Sequence, residues 1–176
     1  MLSITAMRAA LVLVLVPSLA QATPSMFGVA FGELQLGSEA SGANMEGVFG
    51  RLGVTHRLAI GAELTRVAEI YTDDGVHALT LIATIDVLDT GRWIPMVLGG
   101  AGVDRGDDTG MVGYHAELGA ALEYRGDSGF VFGADLRLGD RAIDPPPAVT
   151  EPLGSQATLL AGGTYASGRI YAGIHF

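Results

Sequence analysis

From residue 26 onward, polar and apolar residues alternate with a period of two in runs of about ten, and this constrains the fold more than any other feature. Successive side chains of a strand point to opposite faces, so each run is a strand with one apolar and one polar surface. Across 114–124 the even positions read Tyr, Ala, Leu, Ala, Leu, Tyr, whereas the odd ones read His, Glu, Gly, Ala, Glu. Further on, Phe130, Phe132, Ala134, Leu136 and Leu138 oppose Val131, Gly133, Asp135 and Arg137. Leu58, Ile60, Ala62 and Leu64 oppose Ala59, Gly61, Glu63 and Thr65. Val48, Gly50, Leu52 and Val54 oppose Phe49, Arg51, Gly53 and Thr55. Leu79, Leu81, Ala83, Ile85 and Val87 oppose Thr80, Ile82, Thr84 and Asp86.

Two segments depart from the pattern. Phe27, Val29 and Phe31 share one parity and Leu34 and Leu36 the other, which predicts a bulge at Gly32-Glu33. Residues 93–103 are apolar at both parities and contain Pro95, so neither face is assigned there. The pattern predicts eight strands, near 26–36, 45–55, 58–68, 77–88, 92–103, 111–124, 129–139 and a last one ending at Phe176. Short connections (56–57, 89–91, 126–129) alternate with longer ones (37–44, 69–76, 104–110, 140–155), the last holding Pro145, Pro146 and Pro147. Strands of this length joined by short turns on one side and long loops on the other are the pattern of bacterial outer-membrane barrels.

Composition closes the other routes. Apolar residues make up 49% of the 176, yet past the first two dozen positions no run approaches the roughly 18–20 that a spanning helix needs. Disorder is excluded by the same apolar content. Charged residues are only 16% and glycines number 26, about twice ordinary usage. Residues 1–22 read as a cleaved signal peptide: Arg8, the apolar stretch 9–16, Pro17, and Ala20-Gln21-Ala22 as the cleavage site. Loss of Arg8 leaves 9 basic residues, all arginine, against 19 acidic ones, a formal charge of −10 on the barrel domain 23–176. So acidic a chain is a poor nucleic-acid ligand. The absence of cysteine is compatible with export.

The short-turn end collects Trp93, Tyr124, Phe130 and Phe176, with Phe27 nearby, as a periplasmic aromatic girdle would. The longer connections carry Glu39, Asp73, Asp74, Asp104, Asp107, Asp108, Asp140, Asp144 and Glu151, acids that water solvates. Three segments then resemble the eight-stranded outer-membrane β-barrel family of the OmpA/OmpX type. Arg92-Trp93-Ile94-Pro95-Met96 followed by small residues resembles its Trp-x-Pro-Tyr strand, with Met96 in place of Tyr. Leu118-Gly119-Ala120-Ala121-Leu122-Glu123-Tyr124 resembles its Gly-x-Gly-x-Glu-Tyr strand. The end, from Arg169 to Phe176, resembles the C-terminal signal read by the outer-membrane insertion machinery. The resemblance implies an all-β, eight-stranded, antiparallel up-and-down transmembrane barrel, in contact with outer-membrane lipid and lipopolysaccharide and inserted through the Phe176 strand.

Eight strands enclose an interior just wide enough for side chains. Parity places Arg51, Glu63, Thr84, Asp86, His115, Glu117, Asp135, Arg137, Arg169 and Tyr171 inside. Buried charges need partners, so Arg–carboxylate pairs are expected among Arg51, Glu63, Glu117, Asp135, Arg137 and Arg169. Inward Gly47, Gly53, Ala59, Gly61, Gly119, Gly133 and Gly173 make room for them. The expected protein is therefore a plugged outer-membrane barrel with a structural or surface-interaction role and no cofactor or metal.

Other readings predict different features. A soluble exported barrel binding an apolar ligand would turn the apolar parity inward, and a narrow pore would leave a passage. A lipid-modifying enzyme would need a serine beside a histidine. His115 and Glu117 share a face, but no His-x-Ser pair exists, and Ser128, Ser155 and Ser167 lack the parity and spacing. The stretch 104–108 offers oxygen ligands without the full spaced set of a calcium loop. Arg105-Gly106-Asp107 and Arg125-Gly126-Asp127 spell the same tripeptide twice, once in a presumed periplasmic turn, which reads as coincidence. No extracellular partner can be read from the residues.

Overall fold

The structure, a computed structural model, describes residues 23–36, 43–69, 75–88, 91–106, 110–143 and 163–176. Residues 1–22, where a signal peptide is expected, lie outside the described residues, as do Glu39, Asp73, Asp74, Asp107, Asp108, Asp144, Glu151, Ser155 and the prolines 145–147.

Eight strands follow one another: β1 Met26–Leu36, β2 Ala43–Gly53, β3 Leu58–Glu69, β4 Gly75–Asp86, β5 Trp93–Gly106, β6 Val112–Arg125, β7 Phe130–Ile143 and β8 Gly163–His175. Each pairs antiparallel with its neighbours in sequence, and β1 pairs with β8 from Met26↔His175 to Leu36↔Tyr165. The result is a closed antiparallel up-and-down barrel of the transmembrane kind, apolar outside and polar inside. Closure leaves no edge strand unpaired.

The short connections are tight. Val54 N–H donates to Leu58 O at 2.8 Å, and Leu58 N–H to Thr55 Oγ1 at 3.0 Å, holding the 54–57 turn. Gly129 closes the 126–129 turn at φ +82°, a conformation that glycine adopts without steric cost. Beside it, His175 N–H donates to Gly129 O at 2.7 Å and Phe176 N–H to Ser25 O at 3.0 Å, so both ends of the described chain are tied to this rim.

Several sequence expectations need correction. There is no bulge in β1: pairing runs without interruption through Gly32↔Met45, Glu33↔Asn44 and Leu34↔Ala43. Leu34 points inward and Glu33 outward, because the long-loop end of the lumen is closed by apolar side chains rather than polar ones. Leu34, Ala43, Val67, Val76, Met111 and Tyr165 form that plug. The apolar parity thus inverts locally while the backbone does not. The second strand is 43–53 rather than 45–55, and β5 and β7 run on to Gly106 and Ile143. Asp104 and Asp140 are therefore strand residues, not loop acids. β5 turns Ile94, Met96, Leu98 and Asp104 inward and Trp93, Val97 and Val103 outward. Its inward apolar residues pack with Ile82 and Ala121.

Glycine positions follow from the contents of the lumen. Arg51 lies directly opposite Gly61, Arg137 opposite Gly119, Arg169 opposite Gly32, His115 opposite Gly102 and Tyr171 opposite Gly133. A Cβ on Gly61 would lie 3.0 Å from Arg51 Cγ, and one on Gly32 would lie 2.8 Å from Arg169 Cγ. On Gly102 or Gly133 it would come within 2.5 Å of the facing ring. These five long inward side chains each lie over a neighbour that has none.

Candidate functional site

The lumen is filled by three tiers of charge. In the middle tier, Arg137 grips Glu63 through both terminal nitrogens at 2.9 and 3.0 Å, and its Nε donates to Asp135 at 3.0 Å. Arg169 repeats this grip on the same two carboxylates, at 2.9 and 3.2 Å on Glu63 and at 3.1 and 2.8 Å on Asp135. Two guanidiniums and two carboxylates thus form a closed ring of bidentate pairs, the strongest geometry open to these groups. Glu117 completes the tier, accepting from Arg137 and, at 3.0 Å, from Tyr165 Oη.

The tier nearest the short turns contains residues that the parity argument left out of its pairings. Arg51 pairs with Glu123, not with Glu63, Glu117 or Asp135. Glu123 also accepts from Arg125 Nε at 2.7 Å and Tyr171 Oη at 3.1 Å. Arg125 clamps Asp86 at 2.6 and 2.9 Å and donates to Thr23 Oγ1 at 3.1 Å, and Thr23 Oγ1 in turn donates to Asp86. The Arg51 guanidinium also lies over the Phe49 and Tyr171 rings, 5.4 and 5.7 Å from their centroids. The Arg125-Gly126-Asp127 tripeptide is thereby a structural turn: Arg125 serves the lumen and Asp127 pairs with Arg92.

In the outer tier, Asp104 pairs with Arg141 Nε at 2.8 Å and lies 3.1 Å from His115 Nδ1. His115 Nε2 is 3.0 Å from Thr80 Oγ1. Thr80, His115 and Asp104 thus stand in the order of a hydrolytic triad. Ser167 Oγ, buried with no hydrogen-bond partner among the described residues, lines the same void. That void measures about 30 Å³, space for a water or two and not for an ester. A second void of about 10 Å³ lies among Arg51, Asp135 and Arg137. Neither amounts to a passage. Glu117, on the same face as His115, belongs to the middle tier, paired with Arg137.

The outer wall is the chemical inverse. Leu118 and Leu136 are 73% and 72% exposed, and Leu81, Leu138 and Ile170 are exposed nearly as far. This orientation is the reverse of what a soluble barrel with an apolar ligand inside requires. At the short-turn end Trp93, Phe130 and Phe176 point outward, as does Phe27. Trp93, Tyr124 and Phe132 form one cluster, with Tyr124 stacked on Phe132 at 4.8 Å and Trp93 edge-on to both at 5.2 and 5.6 Å. Phe132 was absent from the expected girdle; its register opposite Tyr124 was the missing signal.

Wall and lumen together define a class, the small eight-stranded barrel whose interior is occupied by its own side chains. The crystal structure of neisserial surface protein A is similar to this chain, with a TM-score of 0.57, covering 86% of this chain and 94% of that one. The two sequences are 13% identical, so the likeness is one of fold. No protein-family model matches the chain, and no curated protein sequence does.

Proposed function

We propose that this protein is a small outer-membrane barrel of the OmpA/OmpX kind, exported through its signal peptide, with a structural or surface-interaction role and no catalysis. The observation that carries this reading is the division of the strands. The outward parity is apolar along most of their length, while the inward parity is filled by salt bridges and packed side chains that leave no passage among the described residues. An apolar belt of this extent is stable only against lipid. The small size of the void beside Thr80 and His115 argues against a buried hydrolase, and the full lumen argues against a pore. The longer connections would face the exterior and the aromatic cluster the periplasm. Phe176 would present the last strand to the insertion machinery.

Fractionation with a gel run before and after boiling tests this. The expected result is recovery with the outer membrane and a mobility shift on boiling. Soluble recovery without a shift would overturn the reading. In planar bilayers no large steady conductance is expected.

A further inference from the structure

The three described residues ahead of β1 are built into the barrel rather than trailing from it. Thr23 is only 5% exposed. Its N–H donates to Thr55 O in the 54–57 turn at 2.6 Å, and its hydroxyl sits between Asp86 and Arg125, 3.1 Å from each. Ser25 Oγ accepts from Gly53 N–H at 3.3 Å, and Ser25 O accepts from Phe176 N–H at 3.0 Å. The ends of a domain are ordinarily loose unless something ties them down, and here the ties reach β2, β4, β6 and the last residue at once. Thr23 also directly follows Ala20-Gln21-Ala22, the small-x-small pattern that a signal peptidase cleaves.

Charge inside the barrel does not balance among the described residues. In the tier nearest the short turns Arg51 and Arg125 face Glu123 and Asp86, and in the outer tier Arg141 faces Asp104. The middle tier sets Arg137 and Arg169 against Glu63, Asp135 and Glu117, one carboxylate more than it has guanidiniums. With histidine counted as neutral, five guanidiniums thus meet six carboxylates. A filled lumen screens charge less than water does, so the surplus is felt in the neighbouring tiers. Hydrolysis of the Ala22–Thr23 peptide bond would supply the missing cation. Water adds across that bond, its oxygen going to the Ala22 carboxyl, and the Thr23 nitrogen departs as an amine that binds a proton. An α-amine, with a pKa of about 8, is mostly ammonium at neutral pH. The nitrogen keeps its reach to Thr55 O and gains a charge close to Asp86, whose carboxylate already holds the same residue's hydroxyl.

We infer, resting on the export reading above, that the α-ammonium of Thr23 created by signal cleavage is the sixth cation of the lumen network, and that processing thereby completes the base of the barrel. A chain still carrying its leader has an uncharged amide at this nitrogen and lacks that part of the network. The chain contains no lysine, so after cleavage its N-terminus is its only primary amine and can be addressed alone. The test uses the mature chain extracted from outer membranes into zwitterionic detergent, with its first residue identified by mass spectrometry. Labelling with an amine-reactive succinimidyl ester should run about tenfold slower on the folded barrel than on the urea-unfolded chain. Acetylation in urea before refolding keeps the Thr23 N–H and removes the charge, and should lower the folding equilibrium constant about tenfold in a urea titration. A chain with one alanine added before Thr23 should label at the unfolded rate.

Each sample is checked for its boiling-dependent mobility shift. Should the acetylated chain fail to refold, the labelling comparison on the unmodified barrel decides. An N-terminus other than Thr23, equal labelling rates in the two states, protection undiminished by the added alanine, or an unchanged urea midpoint after acetylation would each overturn the inference while leaving the membrane reading intact. A chain recovered soluble without a mobility shift would overturn both.

Discussion

On β7, Phe132, Leu136 and Leu138 look outward while Asp135, Arg137 and Arg141 look inward, and the two sets answer to different physics. The outward residues meet a medium that asks only for apolar surface, so most apolar side chains would serve. The inward residues each have named partners at fixed distances, so nearly any replacement leaves something unpaired. One backbone thus carries a permissive face and an exacting one. Solvent compatibility resides outside and structural specificity inside, as in a water-soluble protein, but the polarity of the two regions is exchanged.

The contrast can be broken most severely from within. Arg137→Ala would leave Glu63, Glu117 and Asp135 with Arg169 alone in the middle tier. A loss of roughly 3–5 kcal/mol is expected, because an uncompensated buried charge costs far more than an intact pair contributes. The urea midpoint of folding in lipid vesicles measures it. Adding Glu117→Leu to Arg137→Met restores the original charge imbalance of that tier and should recover at least half of the loss. Next in size is an assault on the permissive face: Leu118→Arg, near the middle of β6, should cost about 2–4 kcal/mol, whereas Leu118→Phe should lie near zero.

A glycine comparison sharpens the same division. Gly133→Ala places a methyl 2.5 Å from the Tyr171 ring and 2.7 Å from Leu122 O, so about 1–3 kcal/mol should be lost. Gly50→Ala on the outward face meets nothing nearer than Phe27 at 4.0 Å and should be almost silent in the same titration. Smallest among the destabilising changes is Trp93→Leu, which removes its edge-on contacts with Tyr124 and Phe132 and should lower stability by about 0.5–1.5 kcal/mol.

Strand number, antiparallel order and the direction of most side chains were legible because alternation has only two phases and a charge marks which is which. Where the marker failed, so did the reading. β5 carries apolar residues on both faces, since Ile94, Met96 and Leu98 fill the lumen that charged residues fill elsewhere. Leu34 suggested a bulge because the outer plug is apolar. Asp104 resembled a solvated loop acid, yet it is wholly buried against Arg141 and His115, and no local pattern announces a partner on another strand. The pairing of Arg51 with Glu123 joins β2 to β6 across the lumen, a relation set by barrel geometry and not by sequence spacing. Parity tells which residues are inside; it does not tell at what height they meet.

The placement of Arg51, His115, Arg137, Arg169 and Tyr171 across from bare glycines has a consequence for assembly. A slip of two residues between neighbouring strands keeps every face correctly oriented, so apolarity alone cannot detect it. In this barrel such a slip would set Arg169 against Ala30 or Leu34 instead of Gly32, and Arg51 against Ala59 or Glu63 instead of Gly61. The vacancies therefore act as alignment notches: as strands zip together in order, only one offset lets these five bulky teeth drop into their gaps together.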